Sequence, residues 1–320
     1  MRLLVTGGAG YIGSVVAAQL VAAGHEVTVL DDLSTGHADA VPPGARFVRG
    51  DLRTDAAAAL AGGVEAVFHF AAKSLVGESV ANPRLYWSHN LGGTLALLEA
   101  MRSAGVATIV FSSTAAVYGE PETVPVEESA QPRPESPYGA SKLAVDTALA
   151  EYSRLHGFAA VSLRYFNVAG AFRDAEGRWL GERHTMETHL IPNILRIARN
   201  HSGPVSIYGD DYPTADGSCV RDYIHVGDVA AAHLLALGAC SPAEHKIYNL
   251  GSGTGYSNFE VLAACREVTG LEIPVKIAER RPGDPAVLVA SAARISRDLG
   301  WKPEHGLREV VADAWACGYR

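Results

Sequence analysis

The sequence MRLLVTGGAGYIG at residues 1–13 joins a short apolar strand, a glycine-rich turn and the start of a helix. Gly8, Gly10 and Gly13 fit the spacing G-x-G-x-x-G, and Gly7, Gly10 and Gly13 fit G-x-x-G-x-x-G. Glycine at these places permits a tight turn, a backbone close to a pyrophosphate, and a helix packed on its strand. The free N–H groups of the helix start would face the phosphates. The stretch predicts a dinucleotide-binding turn, and an ordinary strand–turn–helix connection is the alternative.

The residues after this turn favour NAD over NADP. An apolar helix runs to Gly24, and a second strand, Glu26 to Leu30, leads to Asp31. A carboxylate at the end of this strand accepts hydrogen bonds from the adenosine ribose and repels a 2′-phosphate.

Composition excludes several classes of protein. The 320 residues are 48% hydrophobic and 19% charged, which is typical of a globular enzyme. The net charge of -8 does not favour binding to nucleic acid or to an anionic membrane. The apolar run after Arg2 is too short for a signal peptide, and Val229 to Cys240 is too short to span a bilayer.

The four cysteines lie far apart, without a C-x-x-C pair. This spacing favours a reducing, cytoplasmic setting, and we expect no metal site.

Strands and helices alternate in the first half, which predicts an α/β fold with a doubly wound parallel sheet of the Rossmann type. Long helices are expected near Pro83 to Ala104 and from Ser141 to His156. The predicted strands are Leu3–Thr6, Val27–Leu30, Arg46–Val48, Ala66–Phe70, Thr108–Ser112 and Ala159–Leu163.

We expect residues 1–167 to form the dinucleotide-binding domain, with residues 220–250 returning to it. Residues 168–219 and 251–320 would then form a smaller, interleaved α/β substrate-binding domain. The run Gly251 to Gly255 lacks a third glycine at the required offset, so it does not predict a second dinucleotide turn. Ser257 and Glu260 instead predict a capping box at a helix start.

Tyr138 and Lys142 carry the sharpest chemical signal, in the sequence SPYGASK. Four residues apart on a helix, they would share one face. A nearby ammonium favours a phenolate, and so would an oxidised nicotinamide, so we expect a lowered tyrosine pKa and general-base chemistry. Alone, the spacing also fits a surface pair.

The sequence FSSTAAVYG follows the fifth strand, at the edge where doubly wound sheets bind ligands. Ser112, Ser113 and Thr114 are therefore candidates to bind a substrate oxygen, and capping of the strand end is the alternative.

These motifs, together with HFAAKSLVGES, LRYFNVAGA, YGDDYPTADGSCVRDYIHV and RRPGD, resemble those of the extended short-chain dehydrogenase/reductase family. Within it they are most similar to the UDP-glucose 4-epimerases. The similarity extends nearly end to end, and the run Tyr208 to Val226 is its most specific part.

The resemblance implies bound NAD and a UDP-sugar substrate. It places Tyr138 as the general base, Lys142 as the residue that lowers its pKa, and Thr114 at the sugar O4, with Ser113 beside it. The residues placed at NAD are Gly7, Gly10, Tyr11, Ile12, Gly13, Asp31, Asp51, Leu52, Phe70, Ala71, Asn90, Ser112, Tyr138, Lys142 and Tyr165. The residues placed at the substrate are Thr114, Tyr138, Asn167, His189, Leu190, Ser206, Tyr208, Arg221, Arg281 and Asp284.

The reaction that the resemblance implies is interconversion of UDP-glucose and UDP-galactose. Hydride would leave sugar C4 for NAD and return to the opposite face of a 4-keto intermediate. A 4,6-dehydratase would carry Asp-Glu after the catalytic threonine, where this chain has Ala115 and Ala116. A 4-epimerase for UDP-N-acetylglucosamine or a UDP-pentose, and a non-catalytic NAD-binding regulator, stay open as alternatives.

Three positions depart from the family pattern. Ser74 stands where the family often has lysine, which puts the role of Lys73 in doubt. His189 replaces an asparagine, and it also fits a helix-start residue. Leu288 replaces a tyrosine that walls the sugar pocket, which could leave room for an N-acetyl group.

The resemblance also suggests a homodimer that packs through helices around Leu91–Met101 and Leu143–Leu155. The apolar positions of both helices would serve a monomer core equally well.

Overall fold

The computed structural model describes residues 1–184, 187–281 and 283–318. Pro282, inside the RRPGD motif, and the last two positions of the expected second domain lie outside the described residues.

A seven-stranded parallel sheet organises the larger part of the chain and confirms the predicted fold class. Its spatial order is β12-β6-β5-β4-β1-β2-β3. The sheet strands are β1 (Arg2–Thr6), β2 (Glu26–Asp31), β3 (Arg46–Arg49), β4 (Ala66–His69), β5 (Thr108–Thr114), β6 (Ala159–Tyr165) and β12 (Glu244–Leu250). Because both faces are covered by helices, the strands are nearly continuous apolar runs.

The remaining strands form small sheets. They are β7 (Asn167–Ala169), β8 (Ala171–Arg173), β9 (Trp179–Gly181), β10 (Val205–Tyr208), β11 (Val220–His225), β13 (Gly255–Ser257), β14 (Val275–Ala278) and β15 (Val287–Leu288). β11 pairs with β7, β13 and β15, β10 pairs with β14, and β8 pairs with β9. Of the segment expected to return to the large sheet, residues 220–250, β12 joins that sheet and β11 does not.

The helices are α1 (Tyr11–Ala22), α2 (Leu52–Leu60), α3 (Val76–Ala81), α4 (Pro83–Tyr86), α5 (Gly93–Ala104), α6 (Pro137–His156), α7 (Leu190–Asn200), α8 (Val226–Ala239), α9 (Asn258–Thr269), α10 (Ala293–Leu299) and α11 (Leu307–Cys317). A π-helical turn, Trp87–Gly92, joins α4 to α5 inside the stretch expected as one helix. Ser257 and Glu260 form the predicted capping box of α9.

Helix α6 begins four residues before the predicted start at Ser141, because the Ser136 hydroxyl caps it by accepting from the Gly139 N–H at 3.2 Å. Pro137 follows at the first helical position, which suits its missing N–H. The earlier start puts Tyr138 on the same helix as Lys142, one turn apart.

Two apolar cores lie on opposite faces of the large sheet, one including Val15 and Val229, the other Leu97 and Leu149. A third core joins α7, α9 and α11 in the smaller lobe. Among the described residues, no helix has both the length and the apolar character needed to cross a bilayer.

Candidate active site

The glycine turn between β1 and α1 packs so closely that a side chain at Gly7 or Gly13 would clash with the backbone. A Cβ on Gly7 would lie 2.5 Å from the Ala71 nitrogen, and one on Gly13 would lie 2.3 Å from the Gly7 oxygen. Gly7 also has φ of +70°, a conformation that favours glycine. The first turn of α1 therefore lies against the ends of β1 and β4, with its N–H groups toward the edge where a pyrophosphate would bind. The residues present fit a dinucleotide.

Asp31 ends β2 and braces this turn. Its carboxylate accepts from the Ala9 N–H at 3.0 Å and from the Leu33 N–H at 2.8 Å. Burial raises the pKa of Asp31, and these backbone bonds oppose the shift. The carboxylate oxygens keep acceptor capacity beyond these two bonds, as binding of a ribose hydroxyl requires.

Asp51 caps α2, next to the buried Leu52. Its carboxylate accepts from the backbone and guanidinium of Arg53, which lowers the pKa of Asp51 to about 2. This carboxylate is thus held ionised at the end of β3.

The other residues expected at the cofactor lie along the same edge. The Tyr11 hydroxyl donates to the Gly170 oxygen at 2.7 Å, and Ile12 packs on the core below. The Phe70 N–H donates to the Thr6 oxygen at 2.9 Å. Tyr165 ends β6 and is buried, which raises the pKa of its hydroxyl.

Asn90 is buried and joins two elements of the site. Its amide accepts from the Lys73 N–H at 2.8 Å, donates to the Lys73 oxygen at 3.0 Å, and donates to the Ser141 hydroxyl at 3.0 Å. It therefore fixes the loop after β4 against α6. The Lys73 ammonium donates to the Ser34 hydroxyl at 3.1 Å, across the same edge of the sheet.

Tyr138 and Thr114 meet where α6 passes the end of β5. A hydrogen bond with Thr114 lowers the pKa of Tyr138, but burial is the larger cause and the net shift is upward. The Thr114 hydroxyl also accepts from the Ala116 N–H at 3.1 Å, so strand-end capping and contact with Tyr138 occur together. The Tyr86 ring lies edge-on to Tyr138 at 6.3 Å.

Lys142 lies one turn further along α6 and is buried. Its ammonium donates to the Ser112 oxygen at 2.8 Å and lies 4.7 Å from the centre of the Phe111 ring. Burial lowers the pKa of Lys142 to about 7, against the opposing charge of Asp146. Burial is the main cause of the upward pKa shift of Tyr138, and Lys142 is not among its causes. The role of Lys142 toward the tyrosine stays a prediction.

Ser113 faces away from Tyr138. Its hydroxyl donates to Asp146 at 3.2 Å, and the same carboxylate accepts from the Arg164 guanidinium at 2.8 Å. Arg164 also donates to the Tyr118 hydroxyl at 3.0 Å. The sequence analysis missed this buried network, although Asp146 lies one helical turn after Lys142. The structure therefore does not bring Ser113 together with Tyr138 and Thr114.

A cavity of about 320 Å³ with two arginines in its lining lies where the smaller lobe meets the connection between β5 and α6. Arg221, on β11, forms an ion pair with Asp284. The Arg281 guanidinium lies 4.0 Å from the centre of the Tyr208 ring, at the end of β10. The lining residues are Glu120, Tyr212, Arg280, Arg281, Gly283, Asp284 and Pro285. Arginine and aromatic surfaces of this kind suit a nucleoside diphosphate.

The remaining residues expected at the substrate are spread over this lobe. Asn167 on β7 pairs with Tyr223, and Ser206 on β10 pairs with Lys276. Leu190 begins α7, and His189 precedes it, as a helix-start residue would. The His189 side chain contacts Glu182 and Glu187.

Leu288 lies between Arg221 and the residues that follow β5. It lies opposite Arg221 in the pairing of β15 with β11. It also packs against a cluster that contains Ala115 and Phe166. In the connection before β15, a Cβ on Gly283 would lie 3.2 Å from a carboxylate oxygen of Glu135, just before α6. Gly283 lines the cavity, so the cavity lies next to the residues that precede α6.

A model described as the NAD dependent epimerase/dehydratase family matches residues 3–251. The chain belongs to this family. NAD is its cofactor, in agreement with the glycine turn and Asp31.

Members of this epimerase/dehydratase family resemble the chain over nearly its whole length. A UDP-glucose 4-epimerase of Corynebacterium glutamicum is 53% identical over 318 residues, which are 99% of this chain and 95% of that protein. A UDP-glucose 4-epimerase of Streptomyces lividans is 55% identical, over 98% of this chain and 95% of that protein. The crystal structure of a UDP-glucose 4-epimerase of Stenotrophomonas maltophila, with bound NAD and formylated UDP-arabinopyranose, matches with a TM-score of 0.93 and 40% identity, covering 99% of this chain and 97% of that one.

Proposed function

We propose that the chain is an NAD-dependent UDP-sugar 4-epimerase that interconverts UDP-glucose and UDP-galactose. One observation carries the proposal: Tyr138, Thr114 and Lys142 lie at the same sheet edge as a glycine turn fit for a dinucleotide, and two arginines line a cavity beside the residues that precede α6. The near end-to-end similarity to UDP-glucose 4-epimerases supports the same reaction.

Tyr138 moves the proton in this reaction. As the phenolate, next to Thr114, it takes the proton of the sugar 4-hydroxyl, and as the resulting phenol it later returns that proton to the sugar oxygen. When bound, NAD supplies the hydride chemistry at C4, namely removal of hydride from the sugar and its return to the opposite face of the 4-keto sugar, and a positively charged ring that favours the Tyr138 phenolate. Thr114 holds the sugar oxygen, and Lys142 holds the cofactor side of α6 against β5.

Arg221 and Arg281 hold the substrate by its diphosphate. Guanidinium groups form paired, charge-assisted hydrogen bonds with phosphate oxygens. Because binding depends mainly on the UDP, the hexose is free to turn in the site. It must turn so that each face of its C4 in succession can lie against the same position of the cofactor. Because the cofactor is regenerated in each cycle, we expect it to stay bound through purification.

The side chain at position 288 determines which alternative UDP-sugars would fit the site. A leucine beside Arg221 is smaller than the tyrosine of many family members, so a UDP-N-acetylhexosamine would fit where that tyrosine would exclude it. A UDP-pentose is the other alternative. A non-catalytic NAD-binding protein would have no need of all three catalytic side chains.

We propose two lobes, with residues 1–167 and 226–250 on the cofactor side and most of the remainder on the substrate side. The cavity then lies at their junction, with Asp284 on one side and Glu120 on the other.

We also propose a homodimer that packs through α5 and α6, because Leu95 is 37% exposed and Leu155 is 58% exposed. All four cysteines are free, which suits the cytoplasm. Light scattering on the purified protein tests the dimer, and a monomer mass at micromolar concentration would refute it.

Product analysis tests the function. Purified protein with UDP-galactose and no added NAD should form UDP-glucose, resolved by chromatography. UDP-N-acetylgalactosamine in a parallel reaction tests the Leu288 position. If UDP-galactose is not converted even after NAD is supplied, the hexose assignment is wrong, and turnover of a UDP-pentose then separates the two remaining alternatives.

A further inference from the structure

Two histidines and two glutamates converge between β9 and α7, outside the residues that hold the cofactor. One ligand atom from each of Glu182, His184, Glu187 and His189 lies within 4.8 Å of all the others. His184 Nδ1 lies 3.0 Å from a Glu182 oxygen and 3.6 Å from a Glu187 oxygen. His189 Nδ1 lies 3.4 Å from a Glu187 oxygen and contacts Glu182 directly.

Three of these separations match the edges of a metal tetrahedron. Zinc bonds of about 2.1 Å to nitrogen and oxygen place neighbouring ligand atoms about 3.4 Å apart. The separations of 3.0, 3.4 and 3.6 Å lie around this value, and the His189–Glu182 contact is shorter. Both histidines direct the same ring nitrogen, Nδ1, toward the carboxylates.

The burial of the two carboxylates requires positive charge between them. The Glu182 side chain is 3% exposed and the Glu187 side chain 7%. Two neighbouring carboxylates out of water repel each other unless cations compensate them. His184 Nδ1 is shielded from solvent, and among the described residues it faces the two carboxylates at 3.0 and 3.6 Å without the geometry of a hydrogen bond. A nitrogen left in this way is available to a metal.

We propose that Glu182, His184, Glu187 and His189 bind a zinc-class divalent cation. Imidazole nitrogen with carboxylate oxygen in fourfold geometry suits Zn²⁺, whereas Mg²⁺ requires an octahedral set of oxygen ligands. The His189 side chain is 48% exposed and gives the ion a path to the site. The cysteine spacing gave no sign of this site, because none of its ligands is a cysteine.

The bound ion would stiffen the segment between β9 and α7. That segment already contacts the loop after β2, since the Arg183 guanidinium pairs with Asp39 at 2.8 Å and the Arg183 oxygen lies 2.9 Å from His37 Nε2. The metal would thus fix the start of α7 against the loop after β2. This inference does not rest on the proposed reaction.

Metal titration of the full chain tests the site without an activity measurement. After removal of metal with a chelator, one Zn²⁺ per chain should bind in competition with a chromophoric indicator, and Mg²⁺ should not. Co²⁺ should bind with the strong visible absorption of a tetrahedral site. Thermal unfolding should shift upward with Zn²⁺, because the ion binds the folded chain.

Glu182→Gln and His184→Gln should each weaken Zn²⁺ binding by about 100-fold or more, since loss of even an outer-shell partner costs 10–100-fold. His201→Asn is the matched control: His201 is exposed just after α7, and asparagine tolerates its positive φ, so binding should not change. Circular dichroism verifies that each variant is folded.

Absence of Zn²⁺ binding by the wild-type chain would overturn the proposal, and so would unchanged affinity in both glutamine variants. A near-ultraviolet thiolate-to-cobalt band would assign the ion to cysteines and would also refute it. If neither glutamine variant folds, the wild-type cobalt spectrum decides between these ligand sets.

Discussion

Two arginine–aspartate pairs serve different purposes in this molecule. Arg164 on β6 and Asp146 on α6 lie 2.8 Å apart, with both side chains 3% exposed. Arg221 on β11 pairs with Asp284, whose side chain is 28% exposed at the substrate cavity. The Asp146–Arg164 pair takes its other partners from the protein itself, while in the second pair Arg221 is 9% exposed and Asp284 lines the cavity.

The difference between the two pairs shows how a structural ion pair can be told from one that belongs to a binding site. A fully buried pair fixes the elements that carry it, because loss of either charge leaves the other uncompensated. An arginine at a cavity can exchange a carboxylate for the phosphates of a ligand. The region around α6 should therefore control chemistry and folding, and the cavity should control substrate affinity.

Tyr138→Phe should give the largest effect and sharpen this division. Removal of the hydroxyl leaves Thr114 and the cavity in place but takes away the proton carrier. We expect kcat to fall by roughly 10²–10⁴-fold, as for loss of a general base. Steady-state conversion of UDP-galactose measures kcat, and calorimetry measures UDP binding, which should stay near the wild-type value.

Tyr152→Phe on the same helix is the control. The Tyr152 hydroxyl donates only to Glu99 near the surface, at 2.6 Å, so its loss should leave kcat unchanged. Equal kcat values for the two variants would show that Tyr138 is not the base.

Asp146→Asn should mainly affect folding. The amide cannot neutralise buried Arg164, and removal of one member of a buried pair costs about 3–5 kcal/mol in the free energy of unfolding. Urea denaturation of wild type and variant measures this. Glu151→Gln, in an exposed pair with Arg154 on the same helix, should leave the free energy of unfolding nearly unchanged. Similar losses in both variants would break the proposed distinction between buried and open pairs.

Arg221→Lys should change affinity and leave folding nearly intact. Lysine keeps the charge but loses the paired hydrogen bonds to phosphate, and one such bond to a charged group contributes about 1.5–3 kcal/mol. We therefore expect the Kd for UDP to rise about tenfold or more. Arg308→Lys is the control, since Arg308 pairs with the exposed Glu267 at 3.1 Å and is not among the residues that line the cavity. An equal effect in the control would show that Arg221 does not bind the diphosphate.

The sequence predicted what short-range pattern determines. The glycine spacing, the alternation of strands and helices in the first half and the capping box at Ser257 depend on backbone geometry that neighbouring residues set. It failed where distant residues meet. The Asp146–Arg164 network joins residues 18 apart. Arg221 contacts Asp284, which lies 63 residues further along the chain, just before β15. The upward pKa shift of Tyr138 also depends on burial, which the Tyr-x-x-x-Lys spacing does not reveal.

Ser113→Ala gives the smallest expected effect and decides a question that spacing left open. Ser113 and Thr114 are neighbours, so the sequence offered both as ligands of the substrate. In a strand, successive side chains point to opposite faces, and only Thr114 faces Tyr138. Ser113 donates to Asp146 instead. We expect kcat to stay essentially unchanged, with a loss of about 1 kcal/mol in the free energy of unfolding, as for one modest hydrogen bond.

Thr114→Val, which removes the other hydroxyl while keeping the shape, should do the reverse and lower kcat with little change in stability. If Ser113→Ala lowers kcat as much as Thr114→Val does, the hydroxyl must turn from Asp146 to the substrate during the reaction, and the buried pair would then belong to the catalytic site as well as to the framework.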